Sequence, residues 1–228
     1  MITIIFSYLD VGTCSFDDAK ALFPECICKE FNHLKRGQAA NATLMGKILL
    51  AAGLQQLNFS MSEMDNYRRT LQGRPYLNGS SLDFNISHSG NLVAIALSDT
   101  NRVGLDLEEK KWVQLSDFDM VFTSEELSFI NDDLDNFYDY WTVKEAAMKA
   151  DGRGFGLHPK EIKISSKVKE VLIDAKKWFY RPFEVDSNFA LNLVTNLDWC
   201  FEDVKIAFMD KFQVNKSSTV LLSNLIWL

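Results

Sequence analysis

Two short stretches of this sequence carry side chains whose types and spacing suit catalysis. In Val103-Gly104-Leu105-Asp106-Leu107-Glu108 apolar and polar residues alternate strictly. That is the period of a strand, with Val103, Leu105 and Leu107 on one face and Asp106 and Glu108 on the other. Two same-face carboxylates, roughly 6.5 Å apart along the backbone, repel each other unless a cation lies between them. Oxygen donors with no His or Cys nearby favour Mg²⁺ over zinc. A D-x-E pair is often no more than a solvated strand face, but Gly104 just before it predicts room for a ligand to approach the backbone. The second stretch runs from Trp141 to Gly154. On a helix Trp141, Glu145 and Lys149 fall at i, i+4 and i+8, in one row. A Glu–Lys pair of this kind can simply stabilise an exposed helix, by about 0.3–0.5 kcal/mol. Trp141 on the same row predicts a partly covered face instead, where a carboxylate beside an ammonium suits a base and a phosphate contact. Spacing alone leaves both readings open.

The elements that must position these groups are legible in outline. Ile2 to Tyr8 reads as a buried strand, and Phe23 to Gly53 as helical with Gly53 as its stop. Gly73-Arg74-Pro75-Tyr76 and Asn78 to Ser81 read as loop and turn. Strands follow at Phe84–Ser87 and Leu92–Leu97, joined by His88-Ser89-Gly90-Asn91, and then at Val103–Glu108. Helices are expected over Phe122–Ile130, capped by Thr123 or Ser124, and over Asn136–Ala150. Apolar runs at Glu161–Ile164, Phe189–Val194 and Val204–Phe208 complete the chain. Strands and helices in runs, without regular β-α-β alternation, predict an α+β fold. A shift of about 99 positions lays Ile4 on Val103, Phe23 on Phe122, Gly53 on Gly152, Phe84 on Phe183 and Leu92 on Leu191. Element order repeats with it, which suggests two similar halves with a seam near Thr100-Asn101, divided as 1–100 and 101–228. Gly152-x-Gly154-x-Gly156 follows a helix instead of opening one, so it reads as a helix stop and loop and not a dinucleotide site. No phosphate-binding G-x-x-x-x-G-K-[ST] loop and no G-x-S-x-G elbow occur, and the Ser-His neighbours near Ser89 are weak grounds for a hydrolase.

Composition bounds the rest. The 228 residues, 47% hydrophobic and 24% charged, are ordinary for a globular protein. A net charge of −7 argues against general affinity for nucleic acid or anionic membranes, and neither is expected as a partner. Cys14, Cys26, Cys28 and Cys200 and the scattered His33, His88 and His158 lack zinc or redox spacing. With no signal-like start or membrane-length apolar run, a cytoplasmic protein is expected.

In order along the chain stand Gly73-Arg74-Pro75 with Asn85-Ile86-Ser87-His88-Ser89, then Gly104-Leu105-Asp106-Leu107-Glu108, then Trp141 to Lys149 with Gly152 and Gly154. This ordered triple, spanning residues 73 to 156, resembles the Sfp-type 4′-phosphopantetheinyl transferases. The resemblance implies transfer of the phosphopantetheine arm of coenzyme A to a serine of an apo acyl or peptidyl carrier protein, with release of 3′,5′-ADP. It implies a pseudo-dimer of two similar α+β halves, with coenzyme A in the cleft between them and the whole acting as a monomer. By motif position Asp106, Glu108 and Glu145 would hold Mg²⁺, and Glu145 would help deprotonate the acceptor serine. Lys149 and His88 would contact the phosphates, with Ser87 and Arg74 also lining the coenzyme A site.

The chain departs from the family in its N-terminal half. Thr43-Leu44-Met45-Gly46 is present, but Ala39, Ala40 and Ala42 stand where relatives carry polar or basic groups toward the 3′-phosphate. Lys29, Lys35 or Arg36 would serve instead. The acceptor surface is expected near the C-terminal half, with Arg153 and Phe155 beside the catalytic helix. Rival readings are a catalytically silent relative that binds carrier protein or coenzyme A, and a Mg²⁺-dependent pyrophosphate hydrolase.

Overall fold

The computed structural model describes residues 1–10, 22–32, 37–215 and 220–228. Strand β1 (Ile2–Tyr8) is buried along nearly its whole length, which is why its apolar residues do not alternate. It lies between β5 (Leu92–Ser98), antiparallel, and β11 (Val204–Asn215), parallel. Adding β4 (Asp83–Ser89) and β12 (Val220–Trp227) gives a five-stranded sheet in the order β12-β11-β1-β5-β4. A second five-stranded sheet has the order β6-β10-β9-β8-β7, from β6 (Val103–Glu109), β7 (Lys163–Ser165), β8 (Glu170–Ile173), β9 (Lys176–Phe183) and β10 (Phe189–Thr195). A short hairpin, β2 (Tyr67–Arg69) with β3 (Pro75–Leu77), stands apart.

The sheets pack face to face and a helix covers the outer face of each. Ile2, Ile4, Phe6, Ala94 and Ala96 of the first sheet meet Val103, Leu105, Leu107, Leu191 and Leu193 of the second in one apolar cluster. Behind the first sheet lie α1 (Glu25–Asn32) and α2 (Gln38–Gln56), packed on Ile5, Phe84, Val93, Ile95 and Leu97. Behind the second lie α3 (Ser124–Ile130) and α4 (Leu134–Asp151), the latter packed on Val171, Tyr180 and Val194. The fold is α+β and internally repeated. In β1-α2-β4-β5 and again in β6-α4-β9-β10, a strand, a long helix and a hairpin form a sheet in which the first strand pairs antiparallel with the last. Among the described residues no helix is long and apolar enough to cross a membrane.

Several expectations need correction. Helix α2 runs past Gly53, which is no stop: a Cβ there would lie 2.6 Å from Leu97 Cδ2, so the glycine lets α2 lie close on β5. Strand β4 runs through Ser89, leaving Gly90-Asn91 as the turn. Pro75–Leu77 is a strand and not a loop, and β8, β9 and β12 carry no clear periodic signal in the sequence. The cap of α3 is Thr123, whose hydroxyl accepts from the Glu126 amide while the Glu126 carboxylate accepts from the Thr123 amide.

Lys47 of α2 is only 2% exposed. Its ammonium donates to the Tyr67 hydroxyl and pairs with Glu30 at 3.1 Å, and Glu30 in turn holds Arg69. Burial pulls Lys47 down to about 8 and pushes the Tyr67 phenol well above its ordinary range. Between about 8 and the ordinary lysine value of 10.5, the unfolded chain keeps a proton that the folded one has lost, so stability rises with pH in this window. Above about pH 10 Tyr67 acts in the opposite sense, because only the unfolded phenol then ionises. Urea unfolding at pH 8 and pH 10 should therefore show a rise in the wild type that Lys47→Met lacks. Equal pH slopes in the two proteins would mean that Lys47 keeps its charge.

Candidate active site

The helix α4 crosses the face of the second sheet that carries Asp106 and Glu108. Gly104 is what lets it come so close: a Cβ there would stand 2.0 Å from the Ala146 carbonyl oxygen and 2.5 Å from the Ala150 amide. The room that this glycine makes is filled by the helix and not by a ligand, which corrects the sequence expectation. Close approach brings Lys149 Nζ to 2.6 Å from Asp106 Oδ1, 2.9 Å from Ser87 Oγ and 3.2 Å from the Leu105 carbonyl. Lys149 thus pairs across to the strand and not along its own helix with Glu145. Trp141 packs edge-on against Phe118 at 5.4 Å, so the row is partly covered as expected. Helix α4 stops at Gly152, whose φ of +91° suits glycine at a left-handed cap.

The seam between the halves is built from side chains. Strands β4 and β6 are the facing edges of different sheets. Three alternate residues of β4 accept from three alternate amides of β6. Val103 N–H donates to Asp83 Oδ2 at 2.8 Å, Leu105 N–H to Asn85 Oδ1 at 2.8 Å, and Leu107 N–H to Ser87 Oγ at 3.1 Å. Ser87 also donates to Asp106 Oδ1 at 3.1 Å, and Ser89 to Glu108 Oε2 at 2.7 Å. Arg74, 6% exposed, pairs with Asp83 at 2.8 Å and donates to the carbonyls of Val103 and Lys149. Arg102 joins it through the Ala150 carbonyl at 2.8 Å. Two cations at the end of a helix, where carbonyls lack internal partners, hold α4 to the N-terminal half.

The electrostatics are those of crowded carboxylates. Burial raises the pKa of Glu145, and Asp106 and then Glu108 raise it further while Lys149 opposes them. Burial likewise raises Glu108, with Ser89 opposing and Asp106 adding to the rise. Asp106 is 2% exposed, and its Oδ2 is buried without a hydrogen-bond partner. An orphaned carboxylate oxygen beside two carboxylates that resist ionising fits a hard cation held by oxygen alone. As the side chains stand, no three acidic, His or Cys side chains among the described residues are close enough to hold one metal ion.

The other expected site residues divide between two cavities. One of about 240 Å³ is lined by Gly73, Arg74, Pro75, Asn85, Glu145 and Lys149. Its neighbour, about 580 Å³, takes His88 with Gln38, Ala39, Ala42, Gly90 and Lys111. His88 points away from Ser87 by strand alternation, and burial followed by the nearby Lys149 lowers its pKa. Arg36 and Lys35 lie outside the described residues, and Lys29 forms an exposed pair with Glu25 at 3.0 Å. Arg153 is held by Asp151 and Asp174, at 2.7 Å from the latter. Asp83, Asn85, Arg102 and Lys144 are given no role by the sequence reading, though Asn85 and Lys144 stand within its motifs. Lys144, fully buried beside Glu145, pairs with Glu126 at 2.8 Å and donates to the carbonyls of Pro159 and Ile162. The signal for the first two was the polar stripe Asp83, Asn85, Ser87, Ser89 at strand period, on the face opposite Phe84 and Ile86.

Comparison with known proteins agrees with this geometry. The family model for the 4′-phosphopantetheinyl transferase N-terminal region matches residues 19–100, and that for the 4′-phosphopantetheinyl transferase superfamily matches residues 102–205. The two matches meet where β5 gives way to β6. The chain is 28% identical over 137 residues to the 4′-phosphopantetheinyl transferase ffp of Bacillus subtilis, covering 57% of this chain and 59% of that one. It is 29% identical over 137 residues, with the same coverage, to the 4′-phosphopantetheinyl transferase Sfp of Bacillus subtilis strain 168. The similarity to the 4′-phosphopantetheinyl transferase pptA of Paxillus involutus is 26% over 212 residues and spans 80% of each chain. The match thus takes in less than two thirds of the length of the two bacterial relatives. With both halves matched in order, and the carboxylates and lysine of the site inside the second, this chain belongs to the 4′-phosphopantetheinyl transferase superfamily.

Proposed function

We propose that this protein transfers the 4′-phosphopantetheine arm of coenzyme A to a serine of an apo acyl or peptidyl carrier protein, releasing 3′,5′-ADP. The observation that carries the reading is the Lys149–Asp106 pair at 2.6 Å with Glu108 and Glu145 in electrostatic reach, beside a cavity that Glu145 and Lys149 line together with Gly73-Arg74-Pro75. Residues 1–100 would contribute to holding coenzyme A, and residues 101–228 the carboxylates. Asp106, Glu108 and Glu145 would hold Mg²⁺, which when bound neutralises charge on the pyrophosphate oxygens. Glu145 takes the proton of the attacking hydroxyl. The serine oxygen bonds to the phosphorus that bears the pantetheine, and the bond from that phosphorus to the oxygen of 3′,5′-ADP breaks. Lys149, while it keeps the Leu105 carbonyl, contacts the phosphates beside Ser87, and His88 reaches them from the second cavity on the other face of β4. Arg74 lines the coenzyme A cavity with its stem while its head holds α4. One chain supplies both halves of the site, so a monomer in the cytoplasm suffices.

Intact-protein mass spectrometry of an apo carrier incubated with this protein, coenzyme A and Mg²⁺ tests the reading. The carrier should gain one phosphopantetheine arm, and EDTA should prevent the gain. Coenzyme A binding without any gain across several carriers would leave a silent relative. Cleaved coenzyme A without labelled carrier would leave a pyrophosphate hydrolase.

A further inference from the structure

We propose that Asn85 is a positioning residue for the transfer: its side-chain oxygen replaces a missing strand partner and fixes Leu105, the residue that leads into Asp106. The inference rests on the transferase reading of the site. On one side, β6 pairs with β10 through its backbone, with Asp106 opposite Asn192. On the other side it faces β4, which belongs to a different sheet, so its outward amides need other acceptors. Asp83, Asn85 and Ser87 supply them in turn. Asn85 is the middle acceptor, 4% exposed, and binds the residue immediately before Asp106. The carbonyl of that same Leu105 accepts from Lys149 Nζ at 3.2 Å. Leu105 is therefore held from β4 through its N–H and from α4 through its C=O, and Asp106 follows directly on the second clamp.

The chemistry of the side chain fits that duty. Asp83 can use a carboxylate because Arg74 and Arg102 sit on it. Beside Asp106, where Glu108 and Glu145 already repel, a neutral amide accepts the same bond without adding charge. Without this acceptor the buried Leu105 N–H has no partner, and β6 is free to draw back from β4. A displacement of about 1 Å in a reacting group can cost about 10²-fold in rate.

Three variants separate positioning from mere stability. Asn85→Leu keeps the volume and removes the acceptor; Asn85→Ala removes it without overpacking; Asn85→Ser restores a neutral acceptor of the kind that Ser87 offers Leu107 N–H at 3.1 Å. Steady-state transfer to an apo carrier should show kcat lower by about 10²-fold in the Leu and Ala variants, beyond any change in KM for coenzyme A, whose cavity Asn85 also lines. Asn85→Ser should recover most of that loss. Thermal unfolding of each variant shows that the assays report folded protein, and if the Leu variant does not fold the Ala variant carries the test. Wild-type kcat in the Leu or Ala variant, a change confined to KM, or no recovery with Ser would overturn the proposal. A wild type that transfers nothing would instead sink the transferase reading beneath it.

Discussion

Glu145→Gln should leave a protein that folds at least as well as the wild type and transfers almost nothing. Gln matches Glu in shape, so the packing of α4 is kept. What goes is a carboxylate whose pKa is raised by burial first, then by Asp106 and, to a smaller degree, by Glu108. Losing a repelling, half-buried carboxylate relieves the folded state, so the melting temperature should hold or rise. A base in general acid–base catalysis contributes about 10²–10⁴-fold, and that is the expected fall in kcat. Single-turnover mass spectrometry beside a thermal scan reads both effects. A variant within about tenfold of wild type would lie below the range a base contributes and would remove Glu145 from the chemistry, whereas a variant that melts far lower would make its role structural.

Gly104→Ala is expected to cost the most stability of any single methyl added at this site. The Ala146 carbonyl and the Ala150 amide that a Cβ would strike, at 2.0 and 2.5 Å, are backbone atoms of α4 and cannot swing aside. The helix must lift from β6 as a body. Overpacking of this kind costs about 1–3 kcal/mol, occasionally more, and here it also pulls Lys149 from Asp106 and breaks the clamp on Leu105. Urea denaturation should show the loss as a lower midpoint at unchanged m, and transfer should fall even where the variant is fully folded. A variant with wild-type stability and rate would mean that α4 and β6 do not meet as closely as described.

How far the site was legible in the sequence depended on where each residue's partner lies. Asp106 and Glu108 were readable because strand period alone puts them on one face, and Glu145 and Lys149 because helical period puts them on one row. Their meeting was implied only by the resemblance, since nothing local ties residue 106 to residue 149. Lys149 shows the limit: the neighbour suggested by spacing was Glu145, and its partner in the fold is Asp106. The alternating stripe Asp83, Asn85, Ser87 was visible as a pattern, yet its meaning required knowing that β4 faces an unpaired edge.

The α+β class, the repeat and the strand-turn-helix order near the site were determined locally, by periodicity, caps and glycines, because those forces act over a few residues. The close contact at Gly104, the burial of Lys47 and Lys144, and the stitching of the halves by Arg74, Asp83 and Asn85 were decided by tertiary structure. Each depends on which surfaces meet once two buried sheets pack face to face, and on which backbone groups are left facing an edge without a strand to pair with.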